Sequence, residues 1–327
     1  MIKRFIIILP FLIFTLPLLA HHGVASLGLG GIEGPGAPVE TSNSATLPEG
    51  SLLAYLKLDY ADFKLKTPER DDEGKFNAFW LYGLGYGFKS WLSGYIFVPF
   101  YSKVVEDNSF NTSGFADISL MGVFGFKYDE GFMRVPKSES LDDLEDWHFT
   151  IYGGLTLPTG NANIRDAEGN IDPGQSLGFG KPAYQMGFTG TKQFTYRDTF
   201  VFDVSYIWFN EYEYDDSSTM KFGSESRVNL ALVHKFYTNT KAQFRFDGIL
   251  ETNILNLGRD RADGMDEIAT GGGMLYIQPG MRVYIKTVSA ALGIKIPALT
   301  GLNEEDLQQG AEGTERYRLE FTFSALF

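Results

Sequence analysis

The 327-residue sequence has no cysteine, only four histidines, and no apolar run beyond its first twenty residues long enough for a spanning helix. Without cysteine there is no disulfide, no thiolate metal centre and no lipoprotein-type anchor. Basic residues are also scarce. The 28 Lys and Arg face 41 Asp and Glu, a net charge of −13 that becomes −15 if Lys3 and Arg4 are removed by processing. Such a chain lacks the basic face that a nucleic-acid partner requires. The shortage of histidine leaves His148 and His234 as the candidate bases outside the N-terminus. Neither has a neighbour that marks an activated nucleophile, so no enzyme and no cofactor are expected.

What the chain has is 28 Phe, 17 Tyr and 37 Gly, a composition of strand formers and turn residues. Its N-terminus sets the compartment. Lys3 and Arg4 precede an apolar run over residues 5–19, and Ala20 is followed by the polar His21-His22-Gly23. This is the pattern of a signal peptide, residues 1–20, cut after Ala20. The run contains Pro10 and Pro17 and falls short of the roughly 20 apolar residues of a membrane-spanning helix. Residues 21–50 are glycine-rich and short of large apolar side chains, so they cannot build a core. The preferred reading is a periplasmic lead-in to the first strand; the alternative is a partial plug folded into a lumen. After cleavage the α-amine with His21 and His22 is a candidate Cu²⁺ or Zn²⁺ site. Two polar residues after a cleavage site need no metal, however.

From residue 51 to 327 the chain reads as strands. In RYRLEFTFSALF, residues 316–327, Tyr317, Leu319, Phe321, Phe323, Ala325 and Phe327 share one parity and Arg316, Arg318, Glu320, Thr322 and Ser324 the other. About twelve such runs are expected, at 51–65, 76–88, 90–100, 114–127, 147–157, 182–194, 199–212, 222–236, 242–256, 271–285, 288–297 and 315–327. Their connections alternate between short turns and longer polar loops. That parity, with an even strand count, predicts an all-β fold, a transmembrane up-and-down antiparallel barrel of about 12 strands. The polar faces balance in sign, as a confined lumen requires. Asp203, Arg227, Arg245, Asp247, Glu251, Arg316, Arg318 and Glu320 are the pore-lining candidates. Aromatics near strand ends predict two interfacial belts, with Trp91, Trp147 and Phe236 on the short-turn side and Trp208, Tyr214 and Phe222 on the long-loop side.

Some features resist this pattern. Residues 128–146 occupy the place of a short turn but are long, which implies a missed hairpin or a periplasmic excursion with a helical turn near 140–146. The first strand slips in alternation near Ala61, and Pro279 in the tenth suggests a bulge. Gly83, Gly85 and Gly87 share the inward parity and leave room for curvature or for something in the lumen. The Asp/Asn-rich loops 160–174 and 258–267 do not complete a calcium-loop spacing and read as Asx turns.

The stretch Gly114-Phe115-Ala116-Asp117-Ile118-Ser119-Leu120 resembles the Gly-x-x-Asp-hydrophobic-x-Leu strand of a family of bacterial outer-membrane barrels described as transporters of the MetA-pathway phenol degradation type. Gly180-Lys181-Pro182 and the terminal Phe327 are similar to the same group, so the resemblance spans residues 51–327. It implies passage of small, often hydrophobic or aromatic, solutes across the outer membrane. Phe327 also resembles the terminal aromatic by which the outer-membrane assembly machinery recognises its clients. The resulting expectation is a passive channel embedded in outer-membrane lipid. The competing expectations are a non-conducting barrel that binds a ligand or metal through its loops and His21-His22, and a soluble exported sandwich.

Overall fold

Every strand has two edges of backbone N–H and C=O groups, and in a lipid environment none can go unpaired. The chain satisfies them by closing its sheet on itself. The computed structural model describes residues 36–64, 74–137, 145–308 and 312–327. In it, twelve antiparallel strands follow one another around a barrel. They are β1 (Leu52–Phe63), β2 (Gly74–Lys89), β3 (Leu92–Val105), β4 (Ser119–Tyr128), β5 (Trp147–Thr156) and β6 (Ala183–Gln193). Next come β7 (Asp198–Trp208), β8 (Glu225–Asn239), β9 (Phe244–Leu257), β10 (Gly272–Ile285), β11 (Val288–Leu302) and β12 (Glu315–Leu326). β12 returns to pair with β1, from Leu53 opposite Leu326 to Asp62 opposite Tyr317. At that rim Leu52 and Phe327 exchange backbone hydrogen bonds of 3.0 and 2.8 Å.

The period-two patterning of the sequence becomes two faces. Tyr82, Leu84, Tyr86 and Phe88 of β2 and Leu319, Phe321 and Phe323 of β12 point outward and are exposed, while Lys57, Asp59, Glu251 and Glu320 point inward and are buried. A water-soluble sheet buries the opposite set; an apolar outside around a polar inside suits lipid. The short-turn rim carries an outward aromatic belt. Trp147 stacks on Phe149 at 5.7 Å and Phe149 on Phe188 at 5.6 Å. At the long-loop rim Trp208 stacks on Tyr184, but Tyr214 and Phe222 are buried at 3% and 5% exposure in a core formed by the loops.

The departures from the expected pattern are local and have physical causes. The alternation of β1 is regular through Ala61. The irregularity lies one strand away, where Phe63 pairs with Glu315 while Asp62 pairs with Tyr317. Arg316 is therefore the extra residue of a bulge and is exposed on the outside rather than lining the lumen. Pro279 causes no bulge: it pairs with Leu250 in unbroken register, and the ladder to β11 only skips Gln278 and Pro279. The bulge of this sheet region falls near Pro297 instead, opposite Leu275 and Tyr276. The run expected at 114–127 is two pieces, because residues 112–115 pair with the upper part of β3 and the chain then turns inward at Asp117 before β4 starts. In the long 128–146 connection, Phe132–Arg134 folds back on Phe126–Tyr128 as a short hairpin. Most of the expected helical turn near 140–146 lies outside the described residues.

The inward glycines of β2 have a partner in space. A Cβ at Gly87 would sit 2.1 Å from the carbonyl oxygen of Pro48, and one at Gly85 would meet the Tyr95 ring and Leu47. Gly87→Val, otherwise a good strand substitution, should leave the barrel folded and displace residues 36–50. The expected signature is unchanged heat-modifiable gel mobility with faster proteolysis in that segment.

Candidate functional site: the filled lumen

Residues 36–48 run inside the barrel. The segment starts near the short-turn rim, where the backbone N–H of Ala37 donates to Tyr284 Oη at 3.2 Å and Arg282 donates to the Pro38 carbonyl at 2.6 Å. It reaches mid-height at Glu40 and Thr41 and descends along the opposite wall. There Ser44 meets Thr191 and His148, Thr46 donates to the Ser90 carbonyl, and the Leu47 N–H donates to Ser93 Oγ. Gly50, at φ 83°, makes the turn into β1. Just before it, a hydrogen bond from Lys89, with Lys137 close by, holds the Glu49 carboxyl below its ordinary range. Of the two placements considered for the glycine-rich stretch, residues 36–48 occupy the lumenal one; His21 and His22 lie outside the described residues.

The apex is fixed by carboxylates. Glu251 of β9 accepts the N–H groups of Val39 at 2.6 Å and Thr41 at 2.7 Å, and the Thr41 hydroxyl at 2.6 Å. Glu40 is itself gripped by Lys295 at 2.6 Å and Arg227 at 3.8 Å. Arg227 also holds Glu225 at 2.8 Å and, from the loop above, Glu312 at 3.5 Å. Arg318 joins Glu312 to Glu315 and Asp59, and Lys57 faces Glu320 at 3.5 Å. A continuous run of ion pairs thus links the loop before β12, the wall and the lumenal segment. All of these side chains are nearly fully buried, so each charge depends on its partners for the solvation it has lost.

Of the eight pore-lining candidates, Arg227, Glu251, Arg318 and Glu320 meet in or beside this cluster. Asp203 lies on the lumenal wall apart from it, accepting from Tyr152, Thr189 and Asn229. Asp247 and Arg245 pair at 2.7 Å nearer the short-turn rim, and Arg316 is outside, 3.7 Å from Asp62. Glu40 and Glu312, which bridge the network, lie outside the strands, where no period-two pattern marks them as lumenal.

The lumenal face has two unlike halves. Toward β8–β12 it is charged. Toward β1–β5 it carries an apolar and aromatic patch beside the charges of Lys57 and Asp59, with Tyr55, Phe79, Leu81, Tyr95, Phe97 and Tyr152 packed around Ala45 and Leu47 of the segment. Above the long-loop rim, Phe179, Phe209, Tyr214 and Phe222 form a separate loop core. Asp117 anchors its near side by accepting the N–H groups of Gly160 at 2.7 Å and Phe179 at 2.8 Å. Burial pushes this carboxyl above its ordinary range despite those donors. Lys103 reaches the same loop, donating to the Gly174 and Ser176 carbonyls.

The other polar features sit elsewhere. His148 is buried beneath the segment, and His234 pairs with Asp198 at 2.7 Å on the short-turn rim. In loop 160–174, Asp166 and Asp172 accept backbone N–H groups in tight turns. Among the described residues no group of three or more His, Asp or Glu is arranged to hold a metal.

The sequence pattern of the family described as "Putative MetA-pathway of phenol degradation" matches residues 71–296. The chain belongs to this family. Its match includes the motif around Asp117, to which the structure assigns the anchoring of loop 157–182. Among solved structures, an outer membrane channel from Pseudomonas putida F1 superposes with a TM-score of 0.67 at 12% identity, over 88% of this chain and all (100%) of that one. The β domain of the Bordetella autotransporter BrkA gives 0.44 at 8% identity, over 85% of this chain and 100% of that chain. The first of these likenesses establishes the outer-membrane-type barrel fold. No curated protein sequence matches the chain.

Two substitutions test this arrangement. Glu40→Ala leaves Lys295 and part of Arg227 uncompensated, a loss of about 3–5 kcal/mol for a broken buried pair. Hydrogen exchange at the Val39 and Thr41 amides should accelerate roughly 100-fold or more, at about tenfold per 1.4 kcal/mol. Asp117→Ala removes two buried acceptor bonds worth about 1–3 kcal/mol together with the unsatisfied donors it leaves. Loop 157–182 should then be cleaved by protease while the barrel persists.

Proposed function

We propose that this protein is an outer-membrane channel for passive passage of small solutes, hydrophobic or aromatic ones among them, with residues 36–48 as the element that restricts the lumen. The observation that carries this reading is the divided lumen. A polar, ion-paired wall faces an aromatic wall, and the segment fills the space between them. Where the segment gives way, an amphipathic solute meets a matching surface on each side, and passage needs no chemical step. Twelve strands lie between the eight that side chains fill and the sixteen or more that leave a wide aqueous bore, so a thin segment is enough to narrow the path. Export through a signal peptide and residence in the outer membrane belong to the same proposal, supported by the apolar outer face and the aromatic rims. The phenol-degradation description of the family favours aromatic compounds as solutes.

A second reading has its own support. The ion-pair run from Glu312 through Arg227 to Glu40 crosses the charged half of the lumen without a gap, as in a barrel that binds without conducting. Single-channel recording on refolded protein separates the two. Deleting residues 36–48 should raise conductance several-fold over a small wild-type value. If neither protein conducts or passes solute, the channel reading is wrong; if both conduct equally, the segment does not restrict the path. Cell fractionation with a heat-modifiable gel band should place the protein in the outer membrane.

A further inference from the structure

The outer wall is not uniform. Gly94, Gly122 and Gly153 stand directly opposite one another on β3, β4 and β5 and all face outward. A Cβ at Gly122 would meet nothing within 4 Å, so internal packing does not demand glycine there. The missing side chains leave a depression of about 950 Å³ walled by Tyr86, Phe124, Ile151 and Met186. Toward the short-turn rim, β4 leads from this depression to a second cleft of about 630 Å³ between Phe126, Phe132, Met133 and Arg134. Leu120 to Phe126 spans about 20 Å at ~3.4 Å per residue. The two depressions together therefore span the length of an extended acyl chain.

Cations mark the rim end of these depressions. The Arg134 guanidinium lies over the Trp91 ring at 4.9 Å, and Lys192 of β6 lies over Trp147 at 5.7 Å. Neither forms an ion pair with a described acidic residue. Lys89 and Lys137 at the same rim, by contrast, share Glu49 at 3.0 and 3.7 Å. Two cations held at the aromatic belt without a carboxylate partner among the described residues, beside two apolar depressions, complement an anionic amphiphile. We propose that this wall docks one anionic phospholipid, with an acyl chain in the glycine-floored depression and the phosphate diester on Arg134, Lys192 flanking it. The guanidinium fork matches phosphate oxygens in pairs. A second copy of the chain fits less well, because an isologous contact would set hollow against hollow and leave a void. The proposal rests on the outer face being in lipid, but not on conduction.

The test is native mass spectrometry of the full chain released from micelles containing equal phosphatidylglycerol and phosphatidylethanolamine. Wild type should retain one phosphatidylglycerol in preference. Gly122→Leu, whose Cβ would meet nothing within 4 Å, fills the floor and should lower lipid retention at least fivefold; Gly153→Leu serves if that variant fails to fold. Arg134→Gln with Lys192→Gln should abolish the headgroup preference. Leu292→Ala, on the outer face of β11, should change nothing. Heat-modifiable mobility reports an intact barrel throughout. Equal retention of the two lipids by wild type, undiminished retention in Gly122→Leu, or a loss of dimer rather than of lipid in that variant would each overturn the proposal while leaving the membrane barrel standing.

Discussion

The interaction on which the interior depends is the sharing of Arg227 between Glu40 below and Glu312 above. A barrel of this size cannot fill its lumen with wall side chains alone, and its inward face is charged because the outward face must be apolar. Charges out of water are tolerable only with partners in close geometry. The wall supplies some of these partners itself, such as Glu225 for Arg227 and Asp59 for Arg318. Lys295, however, has its 2.6 Å partner on the segment. Electrostatics thus makes the segment part of the fold, and the apolar half of the lumen does the same through Ala45 and Leu47.

How far the sequence reveals this depends on the range of the interaction. Strand existence and facing are nearest-neighbour properties with a period of two, so the regular alternation of β1, β2 and β9 appears directly in their residues. One bulge is enough to spoil the inference locally. It carries Arg316 to the outside while Glu315 and Arg318, three apart, both point in. The bonds that dock the segment join residues from about forty to more than two hundred positions apart, as in Thr46 to Ser90 and Val39 to Glu251, and no periodicity encodes them. The sequence does hold a trace of the segment in the inward glycines. Gly85, Gly87 and Gly125 are empty where Leu47, Pro48 and Thr46 lie.

The loops show the same division between local and distant information. Their acidity and Asx turns are legible, and the turns at Asp166 and Asp172 form as expected. Their assembly into a common core is not, because aromatic residues such as Tyr214 and Phe222 look alike whether they face an interface or each other. Asp117 lies between these cases. It belongs to a recognisable motif that reads as strand shaping, yet its carboxylate fastens two points of a distant loop.

The path of residues 36–50 has a topological consequence. Gly36, against Thr199, and Gly50, against Gly87, both lie toward the short-turn rim, so the intervening chain forms a bight with both ends on one side. A bight is not threaded through the ring of strands. It can be withdrawn, or inserted after β1 and β12 have zipped together, without breaking a single hydrogen bond of the cylinder. Closing the cylinder therefore sets no topological condition on when residues 36–50 take their place inside it.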